Sequence, residues 1–433
     1  MSSLSEKQPC TSHRIQQTKP AIIDELLKKY SSTVNLSLCQ GAPFIGMPPE
    51  AQESVQHFLQ DPATAKQMCE YGDVVGSEDL RRLWGNILGR GYNNQPKFPS
   101  DDLHSLDTLF PKHELMITAG ANQGFVNIVL ALCDSGDEVL LVLPYYFSHE
   151  NALVMAGVVP RAVPVDVTTF LPNIEDIGDR ITEKSKAVVI VNPGNPSGVV
   201  FPSSLLQKIS TMCKKRNVWL ILDEAYREFS YRDDDKTVFS PEPDEHIIKL
   251  YTMSKVYGLA GWRVGALLYP KRISADMRKV QDTIPTHASL LSQFVACEAL
   301  KHSPFYEKDN YISMMRFVWV QFCEAVKKAY CAVSLSNYVL PCGAFYFFLP
   351  YDDTQYIAEK TEADDSFSVD FLATRFRILV CPGFSFGMCG YIRVSYGRIK
   401  PTQAKKASLH FGNAMSALLK EQSRRRETKS SSH

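Results

Sequence analysis

Between residues 114 and 300, strand-like apolar segments alternate with helical segments. Two of the strand candidates, 187–191 and 218–222, are continuous apolar runs, a pattern typical of strands that are buried on both faces. Such alternation predicts an α/β fold in which a mostly parallel sheet is flanked by helices. From about residue 300 onward the pattern changes to helices with short strands.

This change of pattern predicts two domains. We expect a large domain over residues 51–300 and a smaller α+β domain that combines residues 21–50 with 301–418. The two ends of the chain, 1–20 and 419–433, are polar, and we expect them to be disordered.

Composition excludes several classes of partner. Lys+Arg and Asp+Glu both number 47, so a zero net charge gives no general reason to expect nucleic acid or an anionic membrane as a partner. No apolar run approaches the ~18 residues that span a bilayer, and the first twenty residues lack the apolar core of a signal peptide. The eleven cysteines form neither a C-x-x-C pair nor a Cys/His cluster. We therefore expect reduced thiols, no metal site and a cytoplasmic location.

Lys255 lies in a small polar turn between two apolar strand candidates, 247–251 and 264–269. Burying a lysine is costly unless it is paired or covalently used. Lysine is also the residue type that forms Schiff bases with carbonyl cofactors. An ordinary surface turn is the alternative interpretation of this stretch.

Three other segments place polar groups after strand candidates. Strand 114–118 precedes Ala121 and Asn122 at the start of a helix, an arrangement that favours an anion. The run Asn-Pro-Gly-Asn195-Pro-Ser-Gly forms a rigid, non-helical turn after strand 187–191. Asp223 follows the next buried strand, where α/β sheets place ligand-binding groups. Each segment could instead be an ordinary turn or helix cap.

The order Thr252-Met-Ser-Lys255, with Arg263 eight positions after the lysine, resembles the lysine signature of the class I and II aminotransferases. These are pyridoxal-phosphate (PLP) enzymes of fold type I. The resemblance extends over eight motifs from about residue 20 to 415. It implies that Lys255 holds PLP covalently, with Asp223 and Tyr226 as the other catalytic residues. It also implies that PLP is bound by Ala121, Asn122, Tyr146, Asn195, Asp223, Tyr226, Thr252, Arg263 and Tyr71.

The same resemblance implies a substrate site and a dimer. Gly41, Asn195 and Arg393 would bind the substrate. The Gly41 backbone would lie against its carboxylate, and the planar guanidinium of Arg393 would hold that carboxylate in a two-point contact. Tyr71 would reach the cofactor phosphate of a neighbouring subunit, so we expect a homodimer. Small-molecule amino acids and 2-oxo acids would be the other partners.

The expected reaction is a ping-pong exchange of an amino group between an L-amino acid and a 2-oxo acid. The motifs are most similar to those of aromatic amino acid aminotransferases, so we expect an aromatic amino acid or methionine as donor. PLP-dependent carbon–sulfur lyases and aminocyclopropane-carboxylate synthases have overlapping motifs and remain alternatives. A non-catalytic ligand-sensing module of the same fold is a more remote one.

Overall fold

The structure is a computed structural model that describes residues 10–90, 104–231, 241–302 and 311–430. The helices are α1 (His13–Gln17), α2 (Ile22–Lys29), α3 (Pro49–Gln60), α4 (Pro62–Gln67), α5 (Glu78–Arg90), α6 (Leu106–Leu109), α7 (Ala121–Leu132), α8 (Phe147–Ala156), α9 (Ile174–Arg180), α10 (Ser203–Lys215), α11 (Ser274–Thr283), α12 (Leu290–Lys301), α13 (Tyr311–Cys331), α14 (Glu362–Phe376) and α15 (Pro401–Ser430). Among the described residues, no helix has both the length and the apolar character needed to cross a bilayer.

The strands form one large sheet and two small ones. They are β1 (Leu36–Ser37), β2 (His113–Thr118), β3 (Glu138–Val142), β4 (Val159–Val163), β5 (Ser185–Val191), β6 (Trp219–Asp223), β7 (Ile247–Thr252), β8 (Gly265–Pro270), β9 (Tyr346–Pro350), β10 (Ile378–Leu379), β11 (Cys381–Pro382) and β12 (Tyr391–Ser395).

The large sheet has seven strands in the order β2-β8-β7-β6-β5-β3-β4. Five neighbouring strands pair in parallel, in the order β4, β3, β5, β6 and β7. Strand β8 runs antiparallel to both of its neighbours, β7 and β2. Apolar side chains on both faces of the sheet are buried against helices. The predicted α/β fold with a mostly parallel, helix-flanked sheet is therefore confirmed.

Three neighbouring strands of this sheet end at the same edge. Val191 at the end of β5 lies opposite Asp223 at the end of β6, and β7 ends nearby at Thr252. The backbone N–H of Asn192 donates to the Asp223 carbonyl at 2.9 Å, which joins the first two strand ends. Because parallel strands bring their carboxyl ends together, the polar residues that follow them meet at one place.

Two small sheets are built from strands that precede and follow the large sheet in the sequence. β12 lies between β11 and β9 in an antiparallel sheet, and β1 pairs in parallel with β10. The second pairing joins residues 36–37 to residues 378–379. All these strands come from the segments predicted to form the small domain, and the domain boundaries themselves stay a prediction.

The prediction that residues 419–433 are disordered is wrong for the described part of this tail, because α15 continues through it. The buried carboxylate of Asp352 forms an ion pair with Arg426, and Gln422 donates to the hydroxyl of Ser368 at 3.1 Å. The basic composition of the tail indicated a solvated segment, whereas these side chains have specific acceptors in the body of the protein.

The predicted disorder of residues 1–20 is also wrong for the part described, which begins at residue 10 and contains α1. The ammonium group of Lys19 lies 2.8 Å from the carboxylate of Glu150. The side chain of Asn151 makes hydrogen bonds of 3.1 Å with both the backbone N–H and the carbonyl of Lys19. Residues 1–9 lie outside the described part of the chain.

Candidate active site

A cavity of about 190 Å³ opens at the carboxyl ends of β5, β6 and β7. Nine of the residues predicted to form the site line this cavity: Ala121, Asn122, Tyr146, Asn195, Asp223, Tyr226, Thr252, Lys255 and Arg263. They come from six segments of the chain, and the sheet brings them together.

One end of the cavity is suited to an anion. Helix α7 begins there at Ala121, so unpaired backbone N–H groups and the helix dipole face the cavity. The Thr252 hydroxyl donates to Ser254 Oγ at 2.9 Å, and Arg263 Nη1 lies 3.4 Å from the same oxygen. A Cβ added at Gly120 would lie 2.4 Å from Arg263 Nη2, so a side chain at Gly120 would displace the guanidinium. These donors fit a phosphate group.

Ser254 lines the cavity but was not among the predicted site residues. It lies inside the lysine motif, one position before Lys255. Its place in this turn was the sequence feature that could have predicted it as a site residue. Its backbone N–H donates to Thr252 Oγ1 at 3.1 Å, which fixes the turn that carries the lysine.

Lys255 lines the cavity. Its Nζ donates to the carbonyl oxygen of Gly41 at 2.7 Å and lies 5.5 Å from the centre of the Tyr226 ring. Burial, assisted by the positive charge of Arg393, lowers the pKa of Lys255 to about 8. A lysine with a lowered pKa supplies a neutral, nucleophilic amine close to neutral pH.

The carboxylate of Asp223 is held on two sides. Its Oδ1 accepts from the backbone N–H of Ala225 at 3.0 Å, and its Oδ2 lies 3.2 Å from Nε2 of His149. The His149 ring stacks on Phe125 with a centroid distance of 4.1 Å. The sequence interpretation missed His149, although its place three residues after Tyr146 puts it in the first turn of α8.

Arg393 lies beside Asn195 and is not part of the cavity lining itself. Its Nη1 donates to Asn195 Oδ1 at 3.0 Å and its Nη2 to the carbonyl oxygen of Cys39 at 2.6 Å. The guanidinium is buried, and its Nε has no hydrogen-bond partner among the described residues. Because a buried charge with an unpaired donor favours an anion, this group fits a carboxylate.

Two thiols contact each other beside Arg393. The Sγ atoms of Cys39 and Cys381 are 2.8 Å apart, and Arg393 Nη2 lies 3.5 Å from Cys381 Sγ. All eleven cysteines of the chain are free thiols. The scattered cysteine spacing gave no indication that two of them meet at this position.

Tyr71 lies apart from the cavity. Its side chain is 89% exposed, and its ring packs only edge-on against His287, at a centroid distance of 6.1 Å. Gly41 contributes to the site through its backbone carbonyl rather than by lining the cavity. A role for Tyr71 in a cofactor site therefore requires a second copy of the chain.

Comparison with known proteins identifies the family. Residues 35–408 match the family model described as aminotransferase class I and II. The chain is 31% identical to an aromatic aminotransferase from Arabidopsis thaliana, over 89% of this chain and 90% of that protein. It is 28% identical to an aspartate aminotransferase from Thermotoga maritima, over 86% and 88% of the two chains.

Solved structures show the same fold. An aromatic aminotransferase from Pyrococcus horikoshii is 27% identical and superimposes with a TM-score of 0.74, covering 93% of this chain and 99% of that one. The Thermus thermophilus aspartate aminotransferase with maleate gives a TM-score of 0.78 at 24% identity, covering 94% and 100%.

The family match, together with a fold that brings Lys255 into a cavity at the ends of parallel strands, defines an enzyme of the PLP-dependent fold type I class. The chain belongs to the class I and II aminotransferase family. Pyridoxal 5′-phosphate is its cofactor, and the resemblance stated from the sequence is confirmed.

Proposed function

We propose that the chain exchanges an amino group between an L-amino acid, aromatic or methionine, and a 2-oxo acid by a ping-pong mechanism. The observation that carries this proposal is the position of Lys255 Nζ. Lys255 lines the same cavity as Asp223 and as Thr252 and Arg263 of the end suited to an anion, and the charges of Asp223 and Arg263 both act on its amine. The aromatic aminotransferase from Arabidopsis thaliana, at 31% identity, supports the choice of substrate class.

Each part of the site has a proposed role toward the cofactor. The start of α7, with Thr252, Ser254 and Arg263, would hold the phosphate, and Lys255 would hold the aldehyde carbon. Three further groups would contact the ring and its 3′-oxygen, namely Tyr146 by stacking and Asn195 and Tyr226 by hydrogen bonds. Asp223 would keep the ring nitrogen protonated. When bound, PLP supplies an electron sink for the electrons of a broken Cα–H bond.

Lys255 also has a proposed role in moving the proton. Once an incoming amino acid has displaced its amine, Nζ would be free to take the proton from the substrate Cα and to deliver it to the cofactor's former aldehyde carbon, which lies on the other side of the transferred nitrogen. The lowered pKa of about 8 suits this exchange, because both protonation states of the amine are accessible near neutral pH.

Arg393 would orient the substrate. A carboxylate bound by its guanidinium replaces the neutral carbonyl of Cys39 as acceptor, and Asn195 Oδ1 holds the guanidinium in place. Lys255 and Arg263 are the only cations lining the described cavity, and both have other proposed roles. The absence of a further cation from this lining favours an uncharged substrate side chain over that of aspartate.

We also propose a homodimer in which Tyr71 reaches the partner's cofactor, a proposal supported by the exposure of this side chain. A cytoplasmic location is proposed on the basis of the eleven free thiols.

The test is the absorption spectrum of the PLP-loaded protein with L-phenylalanine, L-methionine or L-aspartate. We expect phenylalanine or methionine to bleach the visible band most efficiently and a 2-oxo acid to restore it. The strongest bleaching by aspartate would overturn the substrate class. Cleavage of methionine without formation of its 2-oxo acid would favour the lyase or synthase alternative. Binding without any turnover would favour the ligand-sensing one.

A further inference from the structure

Tyr346, which begins β9, contacts the site through Tyr226. The two hydroxyl oxygens are 2.6 Å apart, and both side chains are buried. Tyr226 lines the cavity, whereas Tyr346 is not among the lining residues. Among the described residues, each hydroxyl has the other as its only hydrogen-bond partner.

Counting protons determines the direction of this hydrogen bond. Burial raises the pKa of both Tyr226 and Tyr346, so each hydroxyl keeps one proton at neutral pH. If Tyr226 donated to Tyr346, the buried proton of Tyr346 would lack an acceptor in the described part of the chain. If Tyr346 donates to Tyr226, the remaining proton belongs to the hydroxyl that reaches the cavity. The second arrangement leaves no buried donor unmet.

We propose that Tyr346 is a positioning residue that donates its proton to Tyr226 and thereby directs the proton of Tyr226 into the cavity, toward the cofactor's 3′-oxygen. This inference rests on the proposed function, because it assumes that Tyr226 contacts the cofactor. A hydroxyl that accepts one hydrogen bond becomes a stronger donor in the next, so Tyr346 also strengthens the contact made by Tyr226.

The position of Tyr346 is closely constrained. A Cβ added at Gly41 would lie 2.1 Å from the Tyr346 hydroxyl, so only glycine at position 41 leaves room for this oxygen. The guanidinium of Arg393 lies 4.8 Å from the centre of the Tyr346 ring. The side chain is therefore fixed from two directions while its hydroxyl points at Tyr226.

Charged and titratable groups surround the region on several elements. The Lys255 nitrogen is faced by Asp223, Arg263 and Arg393. The tyrosine pair is faced by Arg393 as well, and by Tyr146, Tyr311 and Cys381. A substitution of Tyr346 by phenylalanine leaves all six groups in place, so its effect reports on the lost hydroxyl.

The experiment is a pH titration of the visible absorbance of the PLP-loaded enzyme. The midpoint of this titration reports the pKa of the Lys255 nitrogen when it is linked to the cofactor. A hydrogen-bond donor to the 3′-oxygen stabilises negative charge on that oxygen and so lowers this pKa. We expect Tyr346→Phe to raise the pH midpoint by roughly half a unit, because the donation by Tyr226 is weakened. Tyr226→Phe should raise it further, and adding Tyr346→Phe to Tyr226→Phe should change nothing more.

The matched control is Tyr330→Phe, which removes the hydroxyl of a buried tyrosine that donates to the Pro350 carbonyl away from the cavity. Its midpoint should equal that of the wild type. A lowered midpoint in Tyr346→Phe would overturn the inference, because Tyr226 would then have been donating to Tyr346. Equal shifts from Tyr346→Phe with and without Tyr226 would also overturn it. A wild-type enzyme without a visible band would instead overturn the proposed function.

Discussion

The guanidinium of Arg393 donates to the side-chain oxygen of Asn195 at 3.0 Å, across 198 positions of sequence. Arg393 belongs to the small sheet on β12, and Asn195 to the turn that follows β5 of the large sheet. The bond also leaves the amide nitrogen of Asn195 free to donate into the cavity. One pair thus connects the proposed carboxylate site to the proposed cofactor site.

Replacing Arg393 by lysine should therefore affect substrate binding first. Lysine keeps the charge but cannot contact Asn195 and a carboxylate in the same planar geometry. We expect KM for the amino acid to rise about 10- to 100-fold, with a smaller change in kcat, from the loss of one charge-assisted hydrogen bond. Steady-state kinetics measure this. Arg424→Lys is the control, since the side chain of Arg424 is 75% exposed and is not part of the cavity lining. An unchanged KM in Arg393→Lys would contradict the assignment.

Loading of the cofactor should depend on pH through Lys255. Only the neutral amine attacks an aldehyde, and burial lowers the pKa of Lys255 to about 8. The rate at which the cofactor-free protein gains its visible band should rise with pH and level off above about pH 8, whereas an ordinary lysine would require a pH near 10. Lys255→Ala should abolish the band. Lys271→Ala, at an exposed lysine paired with Asp107, should leave the rate unchanged.

Replacing His149 should reduce the contribution of Asp223 to catalysis without abolishing it. In His149→Leu the buried carboxylate keeps only the backbone N–H of Ala225 among its described hydrogen bonds. We expect kcat to fall about tenfold, against about 10²- to 10³-fold for Asp223→Asn. His246→Leu serves as the control, because His246 lies beside Asp244 away from the cavity. Equal losses in His149→Leu and His246→Leu would contradict a specific role for His149.

Mixing two inactive or impaired variants tests the proposed dimer. If Tyr71 acts in the partner's site, a hybrid of one Lys255→Ala chain and one Tyr71→Ala chain contains one fully intact site. Random exchange of subunits should then restore activity to about a quarter of wild type, because half of the dimers are hybrids with one intact site each. If Tyr71 acted within its own chain, mixing would restore nothing beyond the residual activity of Tyr71→Ala.

The ordered tail should contribute to stability. Arg426→Ala removes an ion-pair partner from the buried carboxylate of Asp352 and leaves Lys360 at 2.7 Å. We expect a loss of roughly 1–3 kcal/mol in the free energy of unfolding, visible as a lower Tm, because a buried charge is left with fewer partners. Arg424→Ala is the matched control, since the side chain of Arg424 is 75% exposed. An equal Tm in the two variants would show that the ion pair is not stabilising.

Short sequence motifs predicted the residues that line the cavity better than the residues that contact them from behind other elements. The residues that end strands β5, β6 and β7 were predictable, because buried parallel strands are apolar and the polar residue after each one stands out. The sequence did not single out His149, and it did not indicate that Tyr346 contacts Tyr226, because each lies among aromatic residues that look like core. Their contacts to Asp223 and Tyr226 depend on packing between elements, which no local pattern encodes.

The ends of the chain were mispredicted for a related reason. A polar, basic composition indicates disorder only when the side chains have no acceptors elsewhere. The partner of Arg426 lies at Asp352, and that of Lys19 at Glu150. Both partners are distant in sequence, so composition alone could not show that these charges are paired.

Two backbone carbonyls of one short segment, Cys39 and Gly41, hold the two central cations of the site, Arg393 and Lys255. A carbonyl is a dipole without net charge. A neutral molecule would therefore bind the guanidinium of Arg393 no more strongly than the Cys39 carbonyl already does. Only an incoming anion improves on the existing contact. The enzyme should consequently reject amides and esters of its amino acids, although these carry the same side chain and amino group.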